Sequence, residues 1–134
     1  MARAFADSLD RSDFGSVAAL LAPGCRYVQE SSLTPEGTLV GPDAILASYR
    51  RHDERWRNLF DRVEYSSDVE ALNDRSAVIR FVDVIEKDGQ THTYSCFQRI
   101  TFDEHWRIEG IVQEDIPTEI TAVRAFLERV GVTL

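Results

Sequence analysis

The chain has 134 residues, 43% of them hydrophobic, which fits one domain spanning residues 1–134 with a core that needs no metal or disulfide staples. Its 15 Lys and Arg against 23 Asp and Glu give a net charge of −8, which argues against nucleic acid or an anionic membrane surface as partner. No apolar run approaches the ~20 residues that span a bilayer, and two cysteines without CxxC spacing, behind an N-terminus with neither a signal core nor a cleavage site, predict reduced thiols in a cytoplasmic protein.

In chain order, Ala2, Phe5, Ala6 and Leu9 fall on one stripe and predict a first helix. Ser12 then caps a second helical pattern that buries Phe14, Val17, Leu20 and Leu21 and is stopped by Pro23-Gly24. Cys25 to Glu30 reads as a short strand in which Tyr27 and Gln29 share a face, and a turn-rich loop, SSLTPEGTLVGPD, follows. Pro42 suits the first turn of a third helix, along which Ile45, Tyr49, His52, Trp56 and Phe60 recur on one face.

From Arg62 the period changes to that of strands, at about 62–72, 76–87, 90–102 and 105–115, in a mostly antiparallel sheet. Asp88-Gly89 is a two-residue hairpin signal, and with Lys87 facing Gln90 it sets Asp83 opposite Tyr94, Ile85 opposite His92, Phe81 opposite Cys96 and Ile79 opposite Gln98. That set is assigned to the concave, helix-covered face, because a one-residue slip would bury Arg80 and Arg99 instead. The outer face, with Val78, Val82, Val84 and Phe97, is too apolar to be simply wet and is predicted to pair two copies of the chain. In the last strand Gly110 marks a bulge between Ile108 and Ile111, and Thr118 caps a final helix that buries Ile120, Val123, Phe126, Leu127 and Val130.

Asp83 is the most informative residue. A carboxylate on the apolar face of a central strand must be paired or neutral, and Tyr94 opposite with His92 diagonal supplies the neighbours that an acid–base group needs. The alternative is a buried Asp satisfied by Tyr94 and a backbone N–H. His52 is a candidate base over the pocket or a hydrogen-bonded core histidine. His105 follows a turn and is expected in solvent. Cys96 and His92, about 13 Å apart along one strand, cannot form a nucleophilic pair, so Cys96 reads as a small core residue. Tyr49 and Trp56 line the pocket or belong to the plain core. No HxH or HxxxH spacing supports a metal, and phosphate loops and nucleophile elbows are absent, so no cofactor is expected.

The element order, with DFGSVAALLAPGCRYVQ, GPDAILASYRR and the closing hairpin ITFDEHWRIEGIVQED, resembles the SnoaL-like members of the NTF2-like superfamily. The resemblance implies an α+β cone: a curved, mostly antiparallel sheet covered by N-terminal helices, plus a C-terminal helix, around a small-molecule pocket. Ketosteroid isomerase, one relative, uses an Asp base with a Tyr and a protonated Asp as oxyanion donors; those positions fall on Gln29, Phe5 and Gln98, which cannot run that chemistry. Limonene-epoxide hydrolase is similar in another set. Tyr27 and Gln29 resemble its Tyr and Asn pair, and Asp83 in FVDVI matches the central Asp that protonates the epoxide oxygen there; Phe81 stands at its Arg and Gln113 at its final-strand Asp.

What the resemblance leaves is an amide-rich pocket. The first expected function is a cofactor-independent acid–base enzyme, an isomerase, dehydratase, cyclase or hydrolase, acting on a small, mostly apolar metabolite. Asp83 and His52 would be its catalytic groups, with Tyr27, Gln29, Tyr49, Trp56, His92, Tyr94, Gln98 and Gln113 contacting the substrate. The other is a non-catalytic domain that binds a small-molecule ligand or pairs into a homodimer.

Overall fold

In the computed structural model of the chain, residues 1–29, 33 and 36–134 are described. The elements are α1 (Ala2–Asp10), α2 (Phe14–Leu20), β1 (Leu21–Gln29), β2 (Gly37–Val40), α3 (Pro42–Leu59), β3 (Arg62–Leu72), β4 (Ser76–Lys87), β5 (Gln90–Phe102), β6 (Ile108–Asp115) and α4 (Pro117–Val130). One mixed sheet runs in the order β2-β1-β6-β5-β4-β3, antiparallel throughout except where β1 lies parallel to β6. The helices pack on a single face of it, which makes the molecule an α+β cone.

The hairpin signal set the central register as expected. Asp88 and Gly89 both have positive φ (51° and 77°), the turn geometry whose twist matches its flanking strands, and pairing runs without a break from Lys87↔Gln90 to Ser76↔Thr101. The bulge also lies where Gly110 predicts it: the β5–β6 register shifts between Thr101 and Phe102, so Ile108 and Ile111 are both buried. A Cβ on Gly110 would stand 2.7 Å from Thr101 Oγ1, so any larger residue there forces the Thr101 side chain to shift.

Several expectations are corrected. Asp13, not Ser12, caps α2, accepting from the Ser16 N–H at 3.2 Å; Ser12 takes a left-handed φ of 55° in the turn from α1 and sends its hydroxyl to Asp53. Pro23-Gly24 does not stop that helix. The chain is already extended at Leu21, and Pro23-Gly24 fall inside β1 where its pairing with β6 is interrupted between Leu21 and Arg26. The turn-rich loop contains β2, whose Leu39 pairs with Tyr27. Glu30, the expected end of the first strand, and Ser31, Ser32, Thr34 and Pro35 of that loop lie outside the described residues. The last strand starts at Ile108 rather than 105, because Asp103 Oδ1 accepts from the N–H groups of His105 and Arg107 and closes a turn with Trp106 at φ 60°. Ile116 rather than Thr118 occupies the cap position of α4, with Pro117 in the first turn.

Two apolar clusters fill the cone. Phe5, Val17, Ile45, Ile79, Ile100 and Ile111 join α1, α2 and the first half of α3 to the sheet. Trp56, Phe60, Ile85 and Tyr94 pack against Val123, Phe126 and Leu127 of α4. On the outer face Val112 is 39% exposed and Val78, Val82, Val84 and Phe97 are half-buried, with the Arg80 guanidinium over the Phe97 ring.

Candidate functional site

Between the two clusters lies a cavity of about 110 Å³. The strand pleat sends every second residue to it, so β4 contributes Phe81 and Asp83, β5 contributes Tyr94 and Cys96, and β1 contributes Tyr27 and Gln29. From α3 come Tyr49, His52 and Asp53, spaced at three and four residues and therefore on one helix face. All 4 tyrosines of the chain line this one space.

Cross-strand register brings the central group together. Asp83 on β4 is flanked by Tyr65 on β3 and Tyr94 on β5, and α3 lays His52 over it with Nε2 3.7 Å from Asp83 Oδ2. The indole of Trp56 donates to His52 Nδ1 at 2.7 Å. An indole N–H can only donate, so Nδ1 must carry the lone pair and the neutral ring keeps its proton on Nε2, the nitrogen turned to Asp83. Trp56 thus fixes the orientation of the His52 ring. It is buried in the second cluster, off the cavity wall.

A second group is a closed amide–tyrosine network. Gln98 Oε1 accepts from Tyr49 at 3.0 Å, and its Nε2 donates to Tyr27 Oη and Gln113 Oε1, both at 3.0 Å. Tyr27 donates to the same Gln113 oxygen at 3.2 Å, and Gln113 Nε2 donates to Asp115 Oδ1 at 3.2 Å. Tyr94 reaches that carboxylate at 3.5 Å. Gln98 therefore sits behind the wall with its amide fully used. Burial pushes the phenols of Tyr27, Tyr49, Tyr65 and Tyr94 well above the usual tyrosine range.

His92 stands apart from the site. Its ring stacks on Phe126 of α4 at 5.1 Å, its Nε2 is buried with no hydrogen-bond partner, and burial holds its pKa below the usual 6.5. The diagonal relation to Asp83 was right in register, but α4, which local sequence rules could not dock, covers that end of the strand. His105 is exposed beside Glu104.

The sequence reading missed three carboxylates. Asp53 lines the cavity and gathers Tyr65 at 2.9 Å, Arg57 at 2.9 Å and Ser12 at 3.2 Å on one oxygen. Asp10 lines it from the end of α1. Asp115 lies beside Cys96 on the concave face, with its Oδ2 buried and unpartnered. The signals existed: Asp53 is four residues from Tyr49, Asp10 four from Ala6, and Asp115 two from Gln113. Each reads as ordinary helix-end or strand-end polarity until the elements dock.

Cys25 and Cys96 are free, with thiols pushed up by burial to about 11 and about 12. Among the described residues no group of three or more His, Cys, Asp or Glu is placed to hold a metal ion, and no helix is long and apolar enough to cross a membrane. A second groove shares Gln29, Ser48 and His52 with the cavity and is edged by the Arg51–Glu36 ion pair at 2.8 Å.

No protein-family model matches the sequence, and no curated protein matches it. Solved structures do. An LEH-like epoxide hydrolase from M. tuberculosis superposes with a TM-score of 0.65 at 15% identity, over 97% of this chain and 92% of that one. An NTF2-like protein of unknown function from Burkholderia pseudomallei gives 0.68 at 19%, over 90% and 92%. A SnoaL-like protein of unknown function from Burkholderia thailandensis gives 0.62 at 14%, over 84% and 89%.

Proposed function

We propose that this chain, whose fold is that of the NTF2-like and SnoaL-like proteins, is a cofactor-independent acid–base enzyme acting on a small, mostly apolar metabolite. A shared fold hosts many activities, so the reading rests on the site. The observation that carries it is the His52–Asp83 pair: a carboxylate on a cavity wall that also carries Phe14, Phe81 and four tyrosines, with an imidazole 3.7 Å away whose orientation and tautomer are set by Trp56. Oriented titratable groups on the wall of a cavity are what proton transfer to and from carbon or water requires. Tyr27, Gln29, Tyr49, Tyr94 and Gln113 shape the space around the substrate.

The test is turnover of a β,γ-unsaturated cyclohexenone and of cyclohexene oxide, among a panel of small ketones and epoxides, by wild type, Asp83→Asn and His52→Gln. Loss of turnover by about 10²-fold or more in either variant is expected. Turnover independent of both residues sinks the reading.

The amides of Gln29 and Gln113 on the cavity wall favour a second reading, a pocket that holds a ligand without transforming it. Amides bind without proton transfer, so ligand affinity would then be flat from about pH 5 to 8. Pairing of two copies through Val78, Val82, Val84 and Phe97 belongs to either reading, and a charge at Val82 would leave a monomer by sedimentation if it holds.

A further inference from the structure

We infer that the ligand of this cavity is an organic cation, an amine with an apolar body whose protonated nitrogen pairs with Asp83 while the aromatic walls hold the rest. The inference rests on the reading above only in taking the cavity as the ligand's site, and it holds for a substrate and for a ligand bound unchanged.

The fixed charge on the cavity wall is of one sign. Asp10, Asp53 and Asp83 line it, and among the described residues no Lys or Arg does. Two of these carboxylates already have a cation from outside the wall: Arg57 Nε lies 2.9 Å from Asp53 Oδ1, and Arg3 Nη2 lies 3.5 Å from Asp10 Oδ2. Among the described residues Asp83 has no Lys or Arg within ion-pairing reach, and the basic group it faces is His52 at 3.7 Å. The Trp56 indole donates to the other nitrogen of that ring, so an imidazole that took up a second proton would forfeit the bond. The charge of Asp83 is therefore left without a counterpart.

The Asp83 oxygens are open to a ligand. No described residue donates a hydrogen bond to either of them, and neither is sealed off as Asp10 Oδ1 and Asp115 Oδ2 are. The side chain is nonetheless only 14% exposed, so bulk water solvates it poorly. A cation that arrives with the ligand completes such a group, and a pair formed away from bulk water is little screened. Burial is the larger cause of the raised Cys96 thiol and of the raised Tyr65 and Tyr94 phenols on the same wall, and the charge of Asp83 adds to each. The same negative field repels an anionic ligand.

The rest of the lining suits an amine. Phe14, Phe81 and four tyrosines offer ring surface to an apolar body, and the negative faces of aromatic rings attract an ammonium group. Tyr65 and Tyr94 stand beside Asp83 on the neighbouring strands, with their hydroxyls committed to Asp53 and Asp115, so what they present to the ligand is ring rather than donor. At longer range the net charge of −8 draws cations toward the molecule.

Calorimetric titration of the full chain at neutral pH with three probes of one shape tests this: cyclohexylamine, which is protonated; cyclohexanol, which is neutral; and cyclohexanecarboxylate, an anion. The amine should bind about 10-fold or more tighter than the alcohol, and the carboxylate more weakly than either. Asp83→Asn should bind the amine and the alcohol alike, the retained alcohol binding reporting an intact cavity. Glu104→Gln, which removes the same charge from a side chain 82% exposed, should keep the full preference and so separate the local pair from net charge. An amine that binds no tighter than cyclohexanol, or a preference that survives Asp83→Asn, overturns the inference. If Asp83→Asn does not fold, the wild-type ranking of the three probes decides. None of these results touches the acid–base reading, which fails instead on turnover independent of Asp83 and His52.

Discussion

At the residue scale, His52 and Asp10 show how one neighbour can decide what a titratable group does. Because the Trp56 indole occupies Nδ1 of His52, protonating that ring means giving up a hydrogen bond. Trp56→Phe should release the constraint, and nitrogen-15 spectra should then show a mixture of ring tautomers where wild type holds the proton on Nε2. Asp10 makes a separate prediction about stability. Its folded pKa is raised, so its contribution is fully present below the unfolded value of 3.8 and is lost as pH rises through the folded pKa. Asp10→Asn should therefore raise Tm relative to wild type at neutral pH and lose that advantage in acid. Gln98 is the opposite kind of residue, silent chemically and important structurally. Gln98→Leu strands the Tyr49 hydroxyl and leaves Tyr27 and the Gln113 oxygen only their bond to each other, and should cost about 2 kcal/mol in chemical denaturation.

At the element scale, the β5–β6 bulge and the docking of α4 shape the two ends of the cavity. The bulge at Gly110 lets β6 bury both Ile108 and Ile111 while turning Gln113 and Asp115 inward. Gly110→Ala drives a Cβ to 2.7 Å from Thr101 Oγ1, and on a β-branched residue in a strand that oxygen has little room to yield. A loss of about 2 kcal/mol in urea midpoint analysis is expected. The α4 helix rests on the half-buried His92, whose folded pKa is depressed chiefly by burial. A buried neutral imidazole must charge when the chain unfolds in acid, so this contribution is present above about pH 6.5 and is lost as pH falls through the folded value. His92→Phe should flatten the dependence of Tm on pH across that window, with Glu119 and Arg129 as the remaining charges near it.

At the scale of the whole molecule, the pocket exists because two apolar clusters, one under α1 and α2 and one under α4, close the cone from opposite ends without meeting. Phe126 anchors the second closure with no exposed surface, and Phe126→Ala should cost about 4 kcal/mol by thermal or chemical unfolding, more than any change on the outer sheet face. That face holds a partly exposed apolar stripe dressed by Arg80 over Phe97 and by the Arg99–Glu114 pair at 3.2 Å.

Local rules carried the sequence reading a long way where the physics is local. A turn that demands positive φ at Asp88-Gly89, and a pleat of period two, together determined the β4–β5 register and hence that Asp83, Tyr94 and Gln98 share the concave face. Helical periodicity likewise placed Tyr49, His52 and Trp56 on one side of α3. What no local rule reaches is the meeting of elements distant in sequence. The parallel pairing of β1 with β6, the short β2, and the docking of α1 on β3 and β4 and of α3 across β1, β2 and β3 are set by tertiary packing. Packing alone therefore decided that His52 meets Asp83, that Trp56 points the histidine from behind instead of lining the pocket, and that Asp10, on an unremarkable helix end, joins the cavity wall.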